Sequence, residues 1–187
     1  QRLKVLVTAG PTRERIDPVR FISNHSSGKM GYAIARCAML RGAEVTLVTG
    51  KTDLTPPMGV HTINTTSAAE MADAVKARSR EQDIIVKAAA VADYRPIYTS
   101  DEKMKKKDGE LTIALERTED ILAFLGEHKP KGQFLCGFSM ETENMIENSR
   151  AKLQKKKLDL IVANNLKEQG AGFGTDTNVV TLLSAGE

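Results

Sequence analysis

The chain has 187 residues and a mass of 20.4 kDa, which is the size of a single globular domain. Hydrophobic residues make up 41% of it, and its longest apolar stretches fall far short of the roughly 20 residues that a membrane helix needs. Twenty-seven basic residues against 24 acidic ones leave a net charge of only +3. Neither a membrane protein nor a nucleic-acid-binding protein is therefore expected.

The two cysteines, Cys37 and Cys136, each lie in an apolar context far apart in the sequence. No CxxC pair or Cys/His cluster is present, so the sequence predicts no zinc site. We expect both to be buried, reduced thiols of a cytoplasmic protein. The chain begins at Gln1 rather than Met and shows no secretory signal, so we expect a fragment of a longer protein.

Apolar residues predict strands that alternate with helices along the chain. Runs of β-branched and apolar residues predict strands at 4–8, 44–49, 60–64, 83–90, 111–115, 134–138, 160–163 and 179–183. Helical periodicity predicts helices at 30–41, 68–75, 120–128 and 144–157. This alternation predicts an α/β fold, in which residues 1–187 form a single domain. Its core is a doubly wound, mostly parallel, Rossmann-like sheet with helices on both faces, and the lysine-rich stretch at about 96–110 is a mobile loop.

A stretch of small, hydroxylated and basic residues, Ser23–Gly31, leads into the first predicted helix. Open α/β sheets bind ligands outside the carboxyl ends of their strands and at helix N-termini, which favour anions. The stretch is not a P-loop, because Ser23 replaces the first glycine and Met30 replaces the Ser or Thr that would bind Mg²⁺. No G-x-G-x-x-G motif follows the first strand either. A polar helix cap is one interpretation, and the one we favour is binding of a nucleotide or a phosphorylated substrate through its phosphate.

Two groups of lysines are candidates for contact with the same anion. In the simpler interpretation the cluster Lys103–Lys107 is solvated surface. In the alternative interpretation it belongs to a loop that closes over a polyphosphate. Lys152 and Lys156 project from one face of a predicted helix, a spacing that is common on surface helices. The three histidines show neither metal spacing nor a catalytic triad, and these are His25, His61 and His128.

Five blocks occur in an order that resembles one family. They are TAGPT at 8–12, DPVRFISNHSSGKMG at 17–31, AAAVADYR at 88–95, the lysine cluster, and GFSMET at 137–142. From residue 3 to its end the chain resembles phosphopantothenate–cysteine ligases (phosphopantothenoylcysteine synthetases) of coenzyme A biosynthesis. The resemblance implies a cytoplasmic homodimer. It also implies that the domain is the C-terminal half of a bifunctional protein whose N-terminal half is a flavin-dependent decarboxylase.

The resemblance implies that 4′-phosphopantothenate is condensed with cysteine at the expense of CTP, with Mg²⁺ as cofactor. The substrate carboxylate attacks the α-phosphate to give an acyl-cytidylate and pyrophosphate, and the cysteine amine then displaces CMP. Lys103 is implied to contact the triphosphate and to promote the first half-reaction. Asn24, with Arg20 beside it, is implied to orient the acyl carbonyl for the second. No metal ligands follow from the resemblance.

The remaining site residues are also implied by the resemblance. Those for the nucleotide are Lys87, Ala88, Ala89, Asp93, Lys103, Glu119, Asp120, Ile121, Leu122, Phe138, Lys152 and Lys156. Those for a phosphate or the intermediate are Gly10, Ser26, Ser27, Gly28, Lys29 and Ala90. Glu119 departs from the family pattern, since many relatives carry Pro there. The competing class is a nucleotide- or dinucleotide-binding, reductase-like protein on the same scaffold, against which the lysine loop and the absence of an acidic ribose ligand argue.

Overall fold

The computed structural model describes residues 2–170 and 174–186. Within these ranges the chain forms eleven strands, four α-helices and a short 3-10 helix at Ser79–Glu81. In chain order the strands and α-helices are β1 (Lys4–Ala9), β2 (Glu14–Arg15), β3 (Phe21–Ile22), α1 (Lys29–Leu40), β4 (Glu44–Thr49), β5 (His61–Asn64), α2 (Ala68–Lys76), β6 (Ile84–Lys87), β7 (Tyr94–Pro96), β8 (Leu115–Arg117), α3 (Ile121–Glu127), β9 (Phe134–Glu141), α4 (Met145–Lys155), β10 (Leu160–Asn165) and β11 (Val180–Ser184).

Seven of the strands form one sheet in the order β5-β4-β1-β6-β9-β10-β11. All neighbours are parallel except β11, which runs antiparallel to β10 at the edge. The chain continues from β1 toward β5 on one side and from β6 toward β11 on the other. The strand order therefore reverses between β1 and β6, and open sheets of this kind bind ligands at such a switch point. The predicted doubly wound, mostly parallel sheet is confirmed.

Helices cover both faces of the sheet, but unevenly. On one face α2, α3 and α4 pack over a continuous apolar layer that includes Leu6, Ile85 and Ile161. On the other face α1 packs alone, with Tyr32 and Ala35 against the half formed by β1 and β4. Because side chains alternate between the faces of a strand, β1, β4 and β6 contribute to both layers.

The half of the second face formed by β9, β10 and β11 carries exposed apolar side chains, and we call it the open half-face. Phe134, Met140 and Leu182 are 41%, 39% and 58% exposed there. They lie on the opposite side of their strands from Leu135 and Leu183, which are buried in the three-helix layer. The open half-face is therefore an apolar surface that α1 does not reach.

The structure corrects the sequence prediction in the short elements. The strand predicted at 111–115 is wrong, since β8 begins only at Leu115 and pairs with the unpredicted β7. The ribbon of β2 and β3 was also missed. Strands of two or three residues are too short to show a hydrophobic repeat. Among the described residues, no helix has both the length and the apolar character needed to cross a bilayer.

The predicted burial of Cys37 is also wrong, because this thiol is exposed on α1. The buried residues of α1 are Gly31, Tyr32 and Ala35. Gly31 determines which side of the helix turns inward, because only a residue without a side chain permits this approach to the end of β1. Cys136 is buried as predicted, and burial raises the pKa of its thiol to about 12.

Candidate functional site

A cavity of about 1050 Å³ opens at the carboxyl edge of the sheet, beside the switch point. Helix α1 forms one wall along its whole length, from Lys29 to Leu40, and the segment after β6 and the end of β9 form another. The segment 174–178 borders the opening. The predicted site residues that line the cavity are Ser26, Ser27, Gly28, Lys29, Lys87, Ala88, Ala89, Ala90, Asp93, Leu122, Phe138 and Lys152.

Glycines bring the start of α1 against the end of β1. Gly10 and Gly28 have φ values of +76° and +81°, which disfavour any residue with a side chain. A Cβ on Gly28 would lie 3.4 Å from the Cα of Gly10, and one on Gly31 would lie 2.4 Å from the Cβ of Ala9. Gly10 is not among the residues that line the cavity, so the structure gives it a packing role at the site's edge.

Polar contacts at the start of α1 already use several of the groups that were predicted to bind phosphate. The Ser26 and Ser27 hydroxyls accept hydrogen bonds from the backbone N–H groups of Gly28 and Lys29, both at 3.3 Å. The Lys29 ammonium donates to the carbonyl of Gly174 at 2.8 Å and forms an ion pair with Asp176 at 2.9 Å. In this structure Lys29 therefore ties segment 174–178 to α1 across the mouth of the cavity.

The segment after β6 is fixed by hydrogen bonds to two other loops. Ala89 N–H donates to the Thr8 hydroxyl at 3.1 Å, and Ala90 N–H donates to the Gly10 carbonyl at 3.0 Å. The Ala90 carbonyl accepts from the Asn24 side-chain amide at 2.8 Å and from a backbone N–H at 3.2 Å. Asn24 thus lies at the edge of the cavity and holds the Ala90 peptide in place.

A smaller pocket of about 280 Å³ adjoins the cavity and shares Lys87, Asp93 and Lys152 with it. Four more of the predicted nucleotide residues line this pocket alone, and they are Glu119, Asp120, Ile121 and Lys156. The i, i+4 spacing of Lys152 and Lys156 on α4 places both lysines at this pocket. Together with Lys87 they form a cluster of three ammonium groups, which we call the lysine pocket.

The lysine pocket has the electrostatics of an anion site. Burial and the neighbouring Lys152 ammonium lower the pKa of Lys87 to about 8. Burial and the charge of Lys156 likewise lower the pKa of Lys152, whose Nζ donates to the Phe138 carbonyl at 2.6 Å. Lowered lysine pKa values mean that positive charge is crowded and poorly solvated. A bound anion would relieve both conditions.

Acidic residues balance part of this charge. Asp120 begins α3, where one carboxylate oxygen accepts from Ala123 N–H at 2.9 Å and the other pairs with the Lys156 ammonium. Burial opposes ionisation of Asp120, but the hydrogen bonds from Lys156 and Ala123 N–H and the charges of Lys156 and Lys87 together outweigh it and lower the pKa of Asp120. The Glu119 carboxylate instead forms an ion pair with Lys76 of α2. Glu119 therefore anchors the turn before α3.

None of the three predicted catalytic residues lines either pocket, although Asn24 contacts the lining residue Ala90. The Lys103 side chain is exposed, and the carbonyl oxygen of the next residue, Met104, accepts a hydrogen bond from the Arg20 guanidinium at 2.5 Å. Arg20 also forms an ion pair with Asp17 at 3.0 Å. The structure therefore brings Lys103 and Arg20 together on one side of the Asn24 loop, rather than inside the cavity.

Two asparagines of the cavity, each with a buried side-chain oxygen, were missed from the sequence. Asn164 is 4% exposed, and its carboxamide oxygen has no hydrogen-bond partner among the described residues. The same holds for the carboxamide oxygen of Asn178 on segment 174–178. A signal for Asn164 was available, since it is the first polar residue after the apolar run at 160–163 and so ends a buried strand at the carboxyl edge.

The described residues contain no group of three or more His, Cys, Asp or Glu side chains that could hold a metal ion. Asp93 is the carboxylate that lines both pockets without an ion-pair partner within 4.0 Å in the described part of the chain. Mg²⁺ commonly binds through one or two protein carboxylates together with substrate phosphates. The residues therefore fit a magnesium ion that arrives with a polyphosphate better than one held by the protein alone.

An open α/β sheet that combines a switch-point cavity, a helix N-terminus and clustered lysines defines a class of proteins that bind anionic small molecules. The comparisons with known proteins specify the family. The chain belongs to the DNA/pantothenate metabolism flavoprotein C-terminal domain family, which matches it over residues 1–187.

Several relatives resemble the chain over nearly all of its length. The Bacillus subtilis (strain 168) "Coenzyme A biosynthesis bifunctional protein CoaBC" is 53% identical over 180 residues, which are 96% of this chain and 44% of that protein. A "Cysteine/Cysteine sulfinic acid decarboxylase" from an unknown prokaryotic organism is 52% identical over 96% of this chain and 50% of its own length. The chain thus spans about half the length of the curated relatives it matches.

Solved structures show the same fold. The crystal structure of the C-terminal domain of a CoaBC protein is 48% identical, with a TM-score of 0.83, over 99% of this chain and 83% of that one. The DNA/pantothenate metabolism flavoprotein of Streptococcus pneumoniae is 28% identical, with a TM-score of 0.81, over 100% of this chain and 90% of that one.

Proposed function

We propose that this domain is a phosphopantothenate–cysteine ligase that condenses 4′-phosphopantothenate with L-cysteine, using CTP as Mg²⁺·CTP. Family membership and the CoaBC relatives support a role in coenzyme A biosynthesis. The observation that carries the proposal is that two pockets adjoin each other and share the lining residues Lys87, Asp93 and Lys152. One compartment is a large cavity suited to an organic substrate, and the other is a lysine pocket suited to a polyphosphate.

The proposed chemistry proceeds in two balanced steps. The phosphopantothenate carboxylate attacks the α-phosphorus of CTP, so that a carboxylate–phosphate anhydride forms and pyrophosphate leaves. The amine of cysteine then attacks the acyl carbon, so that an amide forms while CMP and a proton are released. A free carboxylate is a poor electrophile, and its attachment to a nucleotide supplies the leaving group. The protein contributes positioning and stabilisation of charge.

Each part of the site has a proposed task in these steps. The lysine pocket, with Lys87, Lys152 and Lys156, would bind the nucleotide, and Phe138 would contact its base. Backbone groups of Ala88–Ala90 would lie along the intermediate. Lys103 would neutralise the departing pyrophosphate, and its location on a loop outside the cavity requires that loop to approach the bound triphosphate.

Asn24 would act in the second step, with Arg20 beside it. One N–H of its side-chain amide already holds the Ala90 carbonyl at 2.8 Å. The amide carries a second N–H, which is available to orient the acyl carbonyl for attack by the amine. Gly10 and the Ser26–Lys29 turn would shape the site for the 4′-phosphate or the intermediate through backbone groups.

We further propose that the domain acts in the cytoplasm as a homodimer and is joined in the whole protein to a flavin-dependent decarboxylase domain. The bifunctional relatives, of which the chain spans about half, support the fusion. The open half-face, with Phe134 and Leu182 exposed, supplies an apolar surface for association. Light scattering at micromolar concentration tests the dimer, and a mass near 20 kDa would contradict it.

The decisive experiment measures pyrophosphate release from CTP in the presence of Mg²⁺. We expect release only when phosphopantothenate is added, and CMP and amide formation only when cysteine is added as well. Parallel reactions with ATP test the nucleotide preference. Pyrophosphate release that is equal without phosphopantothenate would contradict the ligase. Thermal stabilisation by NAD(P) instead of CTP would favour the reductase-like alternative.

A further inference from the structure

The Asp17 side chain is fully buried, with 0% exposure, in a turn that precedes the Asn24 loop. Its Oδ1 accepts hydrogen bonds from the backbone N–H groups of Val19 at 2.8 Å and Arg20 at 2.7 Å. These two bonds are local and close the turn. Its Oδ2 faces in another direction, toward the lysine-rich loop.

Oδ2 and the Arg20 guanidinium together hold one peptide segment of that loop. Oδ2 accepts from Met104 N–H at 3.1 Å and from Arg20 Nη2 at 3.0 Å. The same Nη2 donates to the Met104 carbonyl at 2.5 Å. Both backbone polar groups of Met104, the residue directly after Lys103, are therefore bound by one ion pair, in which the Asp17 carboxylate is buried and the Arg20 side chain is 46% exposed.

A second attachment lies on the other side of Lys103. Ser100 N–H donates to the Ile16 carbonyl at 3.0 Å, and its carbonyl accepts from Arg15 at 3.1 Å. Among the described residues, the loop's hydrogen bonds to other elements end at Met104 and resume only at Ala114. Lys103 is thus held from both sides, whereas Lys105–Lys107 extend beyond the attachment.

We propose that Asp17 is a positioning residue that docks the lysine-rich loop against the Asn24 loop and so places Lys103 for the first half-reaction. The proposal rests on the proposed function only for the role of Lys103, since the docking itself is a contact between two loops. Asp17 touches no substrate in this scheme and acts through Met104 and Arg20.

The ionised state of Asp17 is what the docking requires. Burial would raise the pKa of Asp17, but the N–H groups of Met104, Val19 and Arg20 and the Arg20 charge outweigh it and lower the pKa to about 2. The carboxylate is therefore charged at every pH at which the enzyme would be assayed. An amide in its place could keep Oδ1 in the turn, but its NH₂ group would then face the Met104 N–H, donor against donor.

The test compares Asp17→Asn with a matched control, Glu14→Gln. Glu14 is also a buried carboxylate of the same segment, at 2% exposure, but its oxygens accept from Ala68 N–H at the start of α2 and not from the loop. Limited trypsin digestion of the free protein measures exposure of the loop at Lys103–Lys107. We expect cleavage there to be at least about 10-fold faster in Asp17→Asn than in wild type, and unchanged in Glu14→Gln.

The kinetic readout is pyrophosphate formation in the first turnover. In Asp17→Asn we expect kcat to fall roughly 10- to 100-fold with little change in the KM for CTP, because a displaced group costs rate while the lysine pocket is untouched. Asp17→Glu, which keeps both acceptor oxygens, should recover part of the rate. The proposal would be overturned if cleavage of the loop in Asp17→Asn were unchanged or if only the KM changed. It would also be overturned if the variant no longer melted cooperatively or no longer bound CTP. If the wild type formed no pyrophosphate, the proposed function would fail, while the digestion would still test the docking.

Discussion

Asn24→Asp is the substitution that tests the two half-reactions most directly. The Asn24 amide donates to the Ala90 carbonyl at 2.8 Å, and its Oδ1 accepts from Ser26 N–H at 3.1 Å. Aspartate keeps the acceptor for Ser26 but places a carboxylate oxygen against the Ala90 carbonyl oxygen, where no hydrogen bond can form. It also removes the second N–H, which we assign to the acyl carbonyl.

The expected magnitude follows from the donor that is lost. One preorganised donor to a developing charge contributes on the order of 10²–10³ in rate, which corresponds to roughly 3–4 kcal/mol. Asn24→Asp should therefore slow amide formation by about that factor. Acyl-cytidylate formation should persist, because Lys87, Lys152 and Lys103 are unchanged, and the intermediate should accumulate. Lys103→Gln should show the opposite pattern, with little intermediate formed.

Rapid-quench experiments with radiolabelled CTP, resolving acyl-cytidylate from CMP, measure both steps. Ser23→Ala is the matched control for Asn24, since it removes a hydroxyl that donates to the Thr12 carbonyl at 2.7 Å without touching Ala90. Lys106→Gln controls for the charge of the lysine loop. Equal loss of the intermediate in Asn24→Asp and Lys103→Gln would refute the division of roles, even if the protein proved to be the ligase.

Three further predictions concern the lysine pocket and the residues that pack beside it. Gly126→Ala should destabilise the fold by about 1–3 kcal/mol in urea titrations, because its Cβ would lie 1.9 Å from the Lys156 carbonyl oxygen and force α3 and α4 apart. CTP affinity should fall as the pH rises above about 8, where Lys87 loses its proton in the free protein, and calorimetry should find this dependence absent in Lys87→Met. Glu119→Gln should weaken the link to Lys76 and change the free energy of unfolding by less than about 1 kcal/mol, since the Glu119 carboxylate is 46% exposed.

The long elements of the fold could be predicted because their patterns are local. The run Lys4–Ala9 is buried on both faces and reads as a central parallel strand, and the apolar stripe of α2 contains the four residues that the structure buries. The ribbons β2–β3 and β7–β8 could not be predicted, because strands of two or three residues show no hydrophobic period. The orientation of α1 was misjudged because it depends on contact between Gly31 and the end of β1, which is a tertiary property.

The candidate site was also predictable only where its residues follow a local sequence pattern. Segments that line the cavity, such as Ser26–Lys29 and Ala88–Ala90, lie in compact sequence blocks and could be selected from them. The ion pairs could not be predicted from the sequence, because Lys29 meets Asp176 and Lys76 meets Glu119 only after the chain has folded. A lysine in a sequence is simply a cation, and only the fold shows whether its charge is already partnered.

This distinction bears on how the lysine pocket would respond to a ligand. Lys156 is paired with Asp120, and Lys152 donates to the Phe138 carbonyl, so two of the three ammonium groups are held in place before any anion arrives. Within the described residues Lys87 has no hydrogen-bond partner of this kind, and burial together with Lys152 has already lowered its pKa to about 8. An entering polyphosphate therefore changes the surroundings of Lys87 more than those of its neighbours. Protonation of Lys87 should consequently be the part of the pocket most strongly linked to nucleotide binding.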